Sequence, residues 1–373
     1  MNELEDNKVL PSQDTGPSAS PSPGGEGRGE GGIRGSSPKV SIVIISWNDR
    51  KYILDCLDSV YAQTRSISFE VIIADNGSTD GSRELIRERF PNARIVENNA
   101  NLGFGPGNNA GIALARGEYV FILNPDTIVH ERAVEKLVAY ADAHPQAGAF
   151  GCRTLNQDGT LQHTARPLPT VWRSLIAALY LRWLGNFSNA FISDTYLGWD
   201  GRTEREIGFQ AGCSLLVRGE LLKSLGGFDA RFFHQFEDAD LCRRVWSSGR
   251  SVLFCPHAEI THIGGQKRGG YPVKVVLETE RSKYRYFHKH GGVKALKSIR
   301  LVSLLALGMR YAGYRLLHLV RGGAALDQRL ELYRVLFRWN WQINPVQFIQ
   351  TGQEPALGYE PLSPARLIAV GLV

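Results

Sequence analysis

Three acidic side chains crowd one short segment of this 373-residue chain, Phe236-Glu-Asp-Ala-Asp-Leu241. The helix dipole favours carboxylates at a helix N-terminus, and this structural role explains one or two of the three. It explains Glu237, Asp238 and Asp240 together less well. Neighbouring phenylalanines would also raise the pKa of a carboxyl group in this segment. A raised pKa suits a general base that takes a proton from a hydroxyl group.

A second candidate carboxylate, Asp126, follows the apolar residues 120–123 and the stiff pair Asn124-Pro125. At a strand end it can bind Mg²⁺ or Mn²⁺ that also bridges a diphosphate. The structural alternatives are a helix N-cap and an Asn-Pro-Asp turn, and Asn124 replaces the first acid of a DxD pair. His262, before Ile263-Gly-Gly265, is a candidate metal ligand, although a lone histidine is more often structural.

Asp75 follows the apolar run at residues 71–74 and begins Asp75-Asn-Gly-Ser78. A carboxylate at this position can accept a hydrogen bond from a nucleobase N–H or a ribose hydroxyl. The alternative is a turn that caps a helix near Ser82, and this segment alone favours the turn. A further polar loop, Ser46-Trp-Asn-Asp49, follows another apolar run. Together with the loops at Asp75 and Asp126, three polar loops are therefore expected at the ends of strands.

A glycine-rich segment, Leu102-Gly-Phe-Gly-Pro-Gly-Asn-Asn109, resembles a dinucleotide fingerprint. That fingerprint belongs on the turn after the first strand, and the turn after Ile45 contains no glycine. The glycines more plausibly allow the backbone to approach a sugar nucleotide. We expect Asn108 and Asn109 to open a helix.

The elements that position these residues alternate between strand and helix. Predicted strands cover residues 39–46, 69–74, 94–97 and 119–123, and predicted helices cover residues 52–61, 82–90, 107–116 and 131–143. This alternation predicts right-handed βαβ units and a mostly parallel sheet flanked by helices. Ligands bind such sheets beyond the carboxyl ends of their strands, where the polar loops lie.

The second half of the chain is mixed and then helical. Further strands are expected at residues 147–152, 214–217 and 251–255, with helices at 171–184, 219–225 and 237–247. We divide the chain into a disordered tail (1–38), a catalytic domain (39–265), a basic helical extension (266–345) and a C-terminal tail (346–373). The first tail is Gly-, Ser- and Pro-rich and has almost no large apolar residue.

The charge is distributed unevenly. The formal net charge is +6 and the pI about 9.0, but residues 266–341 contain 16 Lys and Arg against 4 Asp and Glu. The residues from Lys294 to His318 form a basic, Leu-rich amphipathic pattern, which either lies on an anionic membrane or packs on the catalytic domain with its basic face in solvent. The aromatic segment 172–184 has the same two interpretations, contact with a membrane or packing on the catalytic domain.

Composition excludes other classes. Five widely spaced cysteines without CxxC argue against zinc ribbons and for a reducing compartment. The N-terminus lacks a secretory signal and no apolar run reaches about 18 residues. We therefore expect a cytoplasmic protein, with attachment to the inner face of the plasma membrane left open. The basic residues lie on Leu-rich helices and no RRM, KH or zinc pattern occurs, so nucleic acid is not an expected partner.

Together the segments VSIVIISWN, FEVIIADNGSTDGS, NLGFGPGNNAGI, GEYVFILNPDT and AGCSLLVRGELLKSLGGFDARFFHQFEDADLCRRVWSSGRSVLFCPHAEITHIGG resemble family 2 glycosyltransferases of the GT-A fold. The subgroup they resemble is the rhamnosyltransferase-like one that builds bacterial surface polysaccharides. The resemblance covers about residues 39–265, with the motifs in the expected order. It implies an α/β fold with a mixed, mostly parallel sheet flanked by helices and followed by a C-terminal helical segment.

The resemblance also implies roles for individual residues. Asp238 would be the catalytic base, with Glu237 beside it, and Asp126 would bind Mg²⁺ or Mn²⁺ and the diphosphate, with His262 as a further metal ligand. The expected residues of the nucleotide and donor site are Ser46, Asn48, Asp75, Asn76, Asn101, Gly103, Asn108, Asn124, Asp126, Gly212 and Cys213.

The implied activity is inverting transfer of L-rhamnose or a related deoxysugar from a dTDP- or UDP-sugar to a glycan or lipid-linked acceptor. Another donor, such as a hexose or galactofuranose, stays open. A nucleotide-binding oxidoreductase is disfavoured because glycine is missing from the first turn.

Overall fold

The computed structural model describes residues 37–192, 194–264 and 273–356. Most of the expected N-terminal tail and residues 357–373 lie outside this part of the chain. The strands are β1 (Val40–Ser46), β2 (Phe69–Asp75), β3 (Arg94–Glu97), β4 (Tyr119–Leu123), β5 (Thr127–Val129), β6 (Ala147–Leu155), β7 (Ala165–Arg166), β8 (Arg205–Glu206), β9 (Phe209–Gln210), β10 (Ser214–Arg218) and β11 (Ser251–His262). The helices are α1 (Ile53–Gln63), α2 (Ser82–Arg89), α3 (Phe104–Leu114), α4 (Ala133–Ala143), α5 (Val171–Ala178), α6 (Gly219–Ser224), α7 (Glu237–Ser247), α8 (Val273–Arg321), α9 (Ala324–Gln342) and α10 (Pro345–Thr351).

Within the described residues, nine strands form one mixed sheet in the order β3-β2-β1-β4-β10-β6-β11-β5, with β8 on β11. The first four are parallel, as the strand–helix alternation predicts. β10 enters antiparallel between β4 and β6, and β11 runs parallel to β6. β7 and β9 form a separate antiparallel pair. The predicted mixed, mostly parallel sheet flanked by helices is confirmed.

Every residue of β1 and β4 is buried, which accounts for their uninterrupted apolar sequences. Side chains on one face of the sheet pack against α1 and α4. Those on the other face pack against α3 and α7, and the same apolar cluster continues into α8, α9 and α10. The helical extension therefore shares a core with the sheet.

The extension is built on α8, which turns sharply at Gly292 (φ 64°, ψ −163°). The positive φ favours glycine at that position. Before the turn, Tyr284 is fully buried and its hydroxyl donates to Asn340 Oδ1 of α9 at 2.7 Å. α10 begins at Pro345 and buries Phe348, so this helix occupies part of the segment assigned to the C-terminal tail.

The structure corrects three predicted boundaries and adds one strand. α3 begins at Phe104, so Asn108 and Asn109 lie inside the helix instead of opening it. The helix expected over residues 171–184 ends at Ala178, because Tyr180 adopts a left-handed conformation (φ 59°) and a 3₁₀ turn follows. β11 continues seven residues beyond the predicted end. The short strand β5 was not predicted, because three residues after a turn carry no periodic signal.

Candidate active site

The carboxyl ends of β1 and β2 lie side by side, with Ser46 in register with Asp75. Asp75 is only 1% exposed, and its Oδ2 accepts the backbone N–H groups of Gly77 and Ser78 at 3.1 and 3.0 Å. Its Oδ1 and the Ser46 hydroxyl are buried without a hydrogen-bond partner among the described residues. Buried polar atoms of this kind are normally satisfied, so both are open to a ligand.

Asn48 serves to connect the two loops. Its backbone is left-handed (φ 55°) and its Oδ1 accepts from the Thr79 backbone at 2.8 Å. The Asn48 backbone N–H donates to Ser78 Oγ at 3.0 Å. The first and second polar loops therefore form one rigid wall at the strand ends.

Asparagines hold the glycine-rich segment against this wall. The Asn76 side-chain amide donates to the Gly103 carbonyl at 3.1 Å, and the Gly103 backbone N–H donates to Asn101 Oδ1 at 2.9 Å. Asn108 in α3 donates to the Phe104 carbonyl at 3.0 Å. Asn101 Nδ2 and Asn108 Oδ1 are buried without a described partner. These residues position the segment and leave two polar atoms for a bound molecule.

Asp126 and His262 meet because β5 pairs with the end of β11, where Thr127 is opposite His262. His262 Nε2 lies 3.2 Å from Asp126 Oδ1 and 3.2 Å from Asn124 Nδ2. The backbone of Gly264 passes so close that a Cβ there would lie 1.7 Å from Asp126 Oδ2. The two predicted metal ligands are therefore in contact, and glycine is required at position 264.

Gln162 determines which nitrogen of His262 carries the proton. The Gln162 amide nitrogen donates to Asn156 Oδ1 at 3.0 Å, so its Oε1 faces His262 Nδ1 at 2.7 Å. His262 Nδ1 then donates to Gln162, so that Nε2, on the side of Asp126, is the nitrogen left to bind a cation. A cation between Nε2 and the Asp126 carboxylate would stabilise both groups.

The donor set therefore fits a divalent ion bound by one carboxylate and one imidazole. Asn124 Oδ1, a further oxygen, is buried without a described partner. Across the described residues, no group of three or more His, Cys, Asp or Glu side chains is arranged to hold a metal. Protein ligands alone would leave most coordination positions of such an ion open.

The acidic segment begins α7 after a strained turn, in which Gln235 (φ 66°) and Phe236 (φ 70°) are both left-handed. Asp238 accepts the backbone N–H groups of Ala239 at 2.7 Å and Gly212 at 3.3 Å. Burial nevertheless raises the pKa of Asp238. A strained turn of this kind is common where a side chain must be aimed at a ligand.

Glu237 and Asp238 have different surroundings. Glu237 is 6% exposed, and its Oε2 has no described hydrogen-bond partner. Burial, and then the charge of Asp238, raise the pKa of Glu237 well above its ordinary value. Asp238 lines a cavity of about 760 Å³ that Glu237 does not reach. Of the two predicted catalytic acids, only Asp238 is placed to contact a substrate in that cavity.

Gly212 and Cys213 contact both the glycine-rich segment and the loop that carries Asp126. A Cβ at Gly212 would lie 2.6 Å from the Phe104 ring, so glycine permits close packing there. The Cys213 carbonyl accepts from the Asn124 backbone at 3.2 Å. Burial, and to a smaller extent the charges of Asp126 and Asp238, raise the pKa of the Cys213 thiol to about 12. Asp238 and His262 line the same cavity, and Asp126 lies 3.2 Å from His262, so the two predicted carboxylates converge on one site.

The cavity also contains residues that sequence reasoning missed. Gln162, Arg166 and Arg173 line it, together with His262 from the predicted set. Gln162 lies in an irregular segment, Arg166 in β7 and Arg173 in α5, where no motif marks them. Their only sequence signal is the occurrence of polar residues between two apolar elements.

Comparison with known proteins identifies the class of protein that this fold and site define. The model of the family "Glycosyl transferase family 2" matches residues 41–196. Over 236 residues the chain is 32% identical to the N-acetylglucosaminyl-diphospho-decaprenol L-rhamnosyltransferase of Mycobacterium tuberculosis, a match that covers 60% of this chain and 76% of that protein. The chain belongs to glycosyl transferase family 2, as the sequence motifs predict.

Two further similarities are more distant. The chain is 31% identical over 240 residues to the O-antigen biosynthesis protein RfbC of Myxococcus xanthus, covering 62% of this chain and 18% of that protein. Its fold is similar to that of mannosyltransferase PcManGT from Pyrobaculum calidifontis, solved with GDP-Man and Mn²⁺. The TM-score is 0.51 at 18% identity, over 86% of this chain and 89% of the other. The GT-A fold expected from the sequence is confirmed.

Proposed function

We propose that this protein is an inverting glycosyltransferase that moves L-rhamnose or a related deoxysugar from a nucleotide diphosphate sugar to a lipid-linked glycan in cell-surface polysaccharide synthesis. The observation that carries this proposal is that Asp238 and His262, which is in contact with Asp126, line one cavity. The donor and acceptor classes are supported by the similarity to the mycobacterial rhamnosyltransferase.

The nucleotide would bind at the ends of β1 and β2. There Asp75 Oδ1 accepts a hydrogen bond from the base or ribose, and Ser46 and Asn101 offer further polar atoms. Asn124, Asn108, Gly103 and Gly212 shape the space for the donor sugar. We propose dTDP or UDP as the nucleotide.

Asp126 and His262 would hold Mg²⁺ or Mn²⁺, with the donor diphosphate and water as the remaining ligands. The bound ion would neutralise the negative charge that the leaving diphosphate acquires. Gln162 holds the His262 ring in the tautomer that this role requires.

Asp238 performs the proton transfer. Its carboxylate accepts the proton of the acceptor hydroxyl as the oxygen attacks the anomeric carbon from the face opposite the diphosphate. The bond to the diphosphate breaks in the same displacement, so the configuration inverts. The backbone N–H groups of Ala239 and Gly212 fix the carboxylate before the substrates arrive.

We also propose that the protein works at a membrane surface. In the part of the chain that the structure describes, no helix is both long and apolar enough to cross a membrane. The end of α8 nevertheless exposes Leu316, Leu319 and Val320 to 66%, 77% and 83%, between Arg315 and Arg321. Exposed apolar side chains flanked by cations are typical of helices that lie in the interface of an anionic leaflet.

A donor-hydrolysis panel tests the proposed activity. The full chain is incubated with Mn²⁺ and a set of dTDP-, UDP- and GDP-sugars, and release of the nucleotide is measured. We expect hydrolysis of a dTDP- or UDP-linked deoxysugar, and its loss when EDTA is added. Hydrolysis of none of these sugars would contradict the proposed function.

A further inference from the structure

Two acidic side chains lie next to each other at the carboxyl ends of β2 and β3. The parallel pairing of these strands puts Glu97 in register with Asp75. Residues in register on neighbouring strands lie on the same face of a sheet, with their backbones about 4.8 Å apart. Asp75 is buried and Glu97 lies at the surface. A second carboxylate therefore lies beside the one that the nucleotide is proposed to contact.

Arg83 of α2 bridges these two carboxylates. Its Nη1 donates to Glu97 Oε2 at 2.7 Å, and its Nε lies 3.8 Å from Asp75 Oδ2. A guanidinium spreads its charge over three nitrogens, so that one arginine can serve two carboxylates. Like charges at this separation repel each other, and a cation between them offsets the repulsion.

The contact with Arg83 leaves one oxygen of Asp75 available. Oδ2 accepts the backbone N–H groups of Gly77 and Ser78, and it is also the oxygen that lies 3.8 Å from Arg83. Oδ1 is buried without a hydrogen-bond partner among the described residues. The described contacts of this carboxylate therefore fall on Oδ2, and Oδ1 is left for a ligand.

The start of α2 determines where the Arg83 side chain begins. Gly81, which precedes the helix, has a left-handed backbone (φ 80°). Asp80 Oδ1 accepts from the backbone of Ser82 at 3.0 Å, and Asp80 Oδ2 accepts from the backbone of Arg50 at 2.8 Å. Because Arg50 follows the first polar loop directly, these contacts tie α2 to the wall at the strand ends.

We propose that Arg83 is a positioning residue for the donor nucleotide. This inference rests on the proposed function, because that function assigns the nucleotide to Asp75. Arg83 acts through Asp75: it offsets the charge of Glu97 and holds Oδ2, so that Oδ1 is left to accept from an N–H of the base or a hydroxyl of the ribose. A side chain that supports a binding residue in this way affects affinity for the donor without contacting the reacting atoms.

UDP and uridine are the probes, because uridine lacks the diphosphate. Binding of UDP to the full chain is measured by isothermal titration calorimetry with Mn²⁺, and binding of uridine by saturation-transfer NMR. Arg83→Gln is expected to weaken the binding of both about tenfold, because an ionic contact to a buried carboxylate is lost. A loss for UDP alone would mean that Arg83 only attracts the diphosphate, and would overturn the inference.

Arg87→Gln is the matched control. Arg87 lies one turn further along α2 and also pairs with Glu97, but no described contact joins it to Asp75. Arg87→Gln should therefore bind UDP within about threefold of the wild type, since an exposed ion pair contributes little. Arg83→Lys keeps a positive charge and should retain part of the affinity. Thermal unfolding of each variant verifies that it folds.

Two double variants test whether Arg83 acts through its two partners. Arg83→Gln with Glu97→Gln should regain most of the lost affinity, because the uncompensated charge beside Asp75 is removed. Arg83→Gln with Asp75→Asn should bind no more weakly than Asp75→Asn alone, since the effects of residues that act as a unit do not add. Additive losses in the second double variant, or no recovery in the first, would overturn the inference.

Donor hydrolysis separates this inference from the proposed function. Arg83→Gln should raise KM for the nucleotide sugar about tenfold and keep kcat within about threefold, because it removes binding that substrate and transition state share. Hydrolysis by the wild type together with unchanged nucleotide binding in Arg83→Gln contradicts the role of Arg83 alone. Nucleotide binding that depends on Arg83, without hydrolysis of any donor, contradicts the glycosyltransferase proposal alone.

Discussion

At the scale of single residues, burial assigns different roles to two neighbouring acids. Glu237 is buried away from the cavity, and burial together with the charge of Asp238 raises its pKa well above the ordinary value. Asp238 lines the cavity, and two backbone N–H groups stabilise its charged form. Of the two acids, Asp238 therefore has the surroundings that a general base requires.

The corresponding prediction compares two isosteric variants. Asp238→Asn should lower the rate of sugar transfer by at least about 100-fold, because the base is removed. Glu237→Gln should retain transfer to within about threefold, because the Glu237 side chain does not reach the cavity. Rates are measured at saturating donor, and donor binding by both variants is the control. Equal losses in the two variants would contradict this division of roles.

The pH dependence should follow the same carboxylate. Because burial raises the pKa of Asp238, the acid limb of kcat/KM should have its midpoint above 3.8, the ordinary value for aspartate. Below that midpoint the base is protonated and cannot accept the proton of the acceptor. The pH–rate profile of Glu237→Gln should keep this limb, and a limb below 3.8 in the wild type would disagree with the assignment.

A second prediction at this scale concerns Gln162. Gln162→Leu should weaken binding of Mn²⁺ with UDP by about 10- to 100-fold, because His262 loses the acceptor that fixes its tautomer. Gln162→Glu keeps an acceptor at the same position and should retain binding. Electron paramagnetic resonance of free Mn²⁺ measures the Mn²⁺ affinity of both variants. If Gln162→Leu bound Mn²⁺ as tightly as the wild type, the role assigned to Gln162 would be wrong.

At the scale of elements, ionic contacts join α7 to α8. Asp240, fully buried, accepts from Arg244 of its own helix at 2.8 Å and from Lys289 and His290 of α8 at 2.9 and 2.8 Å. Burial raises its pKa, but these partners outweigh burial and lower it. The stabilisation is present above the pKa of the unfolded chain and is lost as the pH falls through the lower folded-state pKa.

Asp240→Asn is therefore expected to destabilise the protein by about 3–5 kcal/mol, because it removes a fully buried anion that pairs with Arg244 and Lys289. Lys289 keeps its pair with Asp229, so Arg244 is the cation that loses its partner. The free energy of unfolding is measured by urea denaturation at neutral pH. The matched control is Asp327→Asn, which removes an exposed contact with His318 and should change stability by less than about 1 kcal/mol. Similar small effects in both variants would show that α7 and α8 do not depend on this network.

At the scale of the whole molecule, the helical extension is part of the catalytic body. Tyr284, Leu296 and Trp339 belong to the same apolar cluster as Val217 of β10. The extension therefore supplies one wall of the cavity while its outer end stays exposed. The first part of α8 packs on the domain, and the proposed membrane contact concerns only its exposed outer end.

Vesicle binding tests the membrane part of the proposal. The full chain should sediment with vesicles containing anionic phosphatidylglycerol, less with neutral phosphatidylcholine, and less again at high salt. Leu319→Glu combined with Val320→Glu should abolish sedimentation, since exposed apolar contacts are replaced by charge. Leu197→Glu, at an exposed leucine outside these helices, is the control. Salt-independent binding, or none, would oppose the proposal.

The sequence by itself determined the alternation of strands and helices in the first half of the chain and the class of chemistry. Buried β-branched runs specify parallel strands, and carboxylates at their ends specify where a ligand binds, because both signals are local along the chain. The family motifs then identified Asp75, Asp126, Asp238 and His262 together.

Only the tertiary structure decided which side chains meet. The family resemblance predicted Asp238 as the base, but sequence could not show that Glu237 beside it is kept out of the cavity, because its burial depends on how α7 packs against α3 and the sheet. It also could not bring Gln162 to His262, 100 positions apart, or gather arginines from β7, α5 and α8 around one cavity. These contacts are long-range, and no local periodicity encodes them. The acidic residues were therefore predictable as a site, whereas the cavity beside them was not.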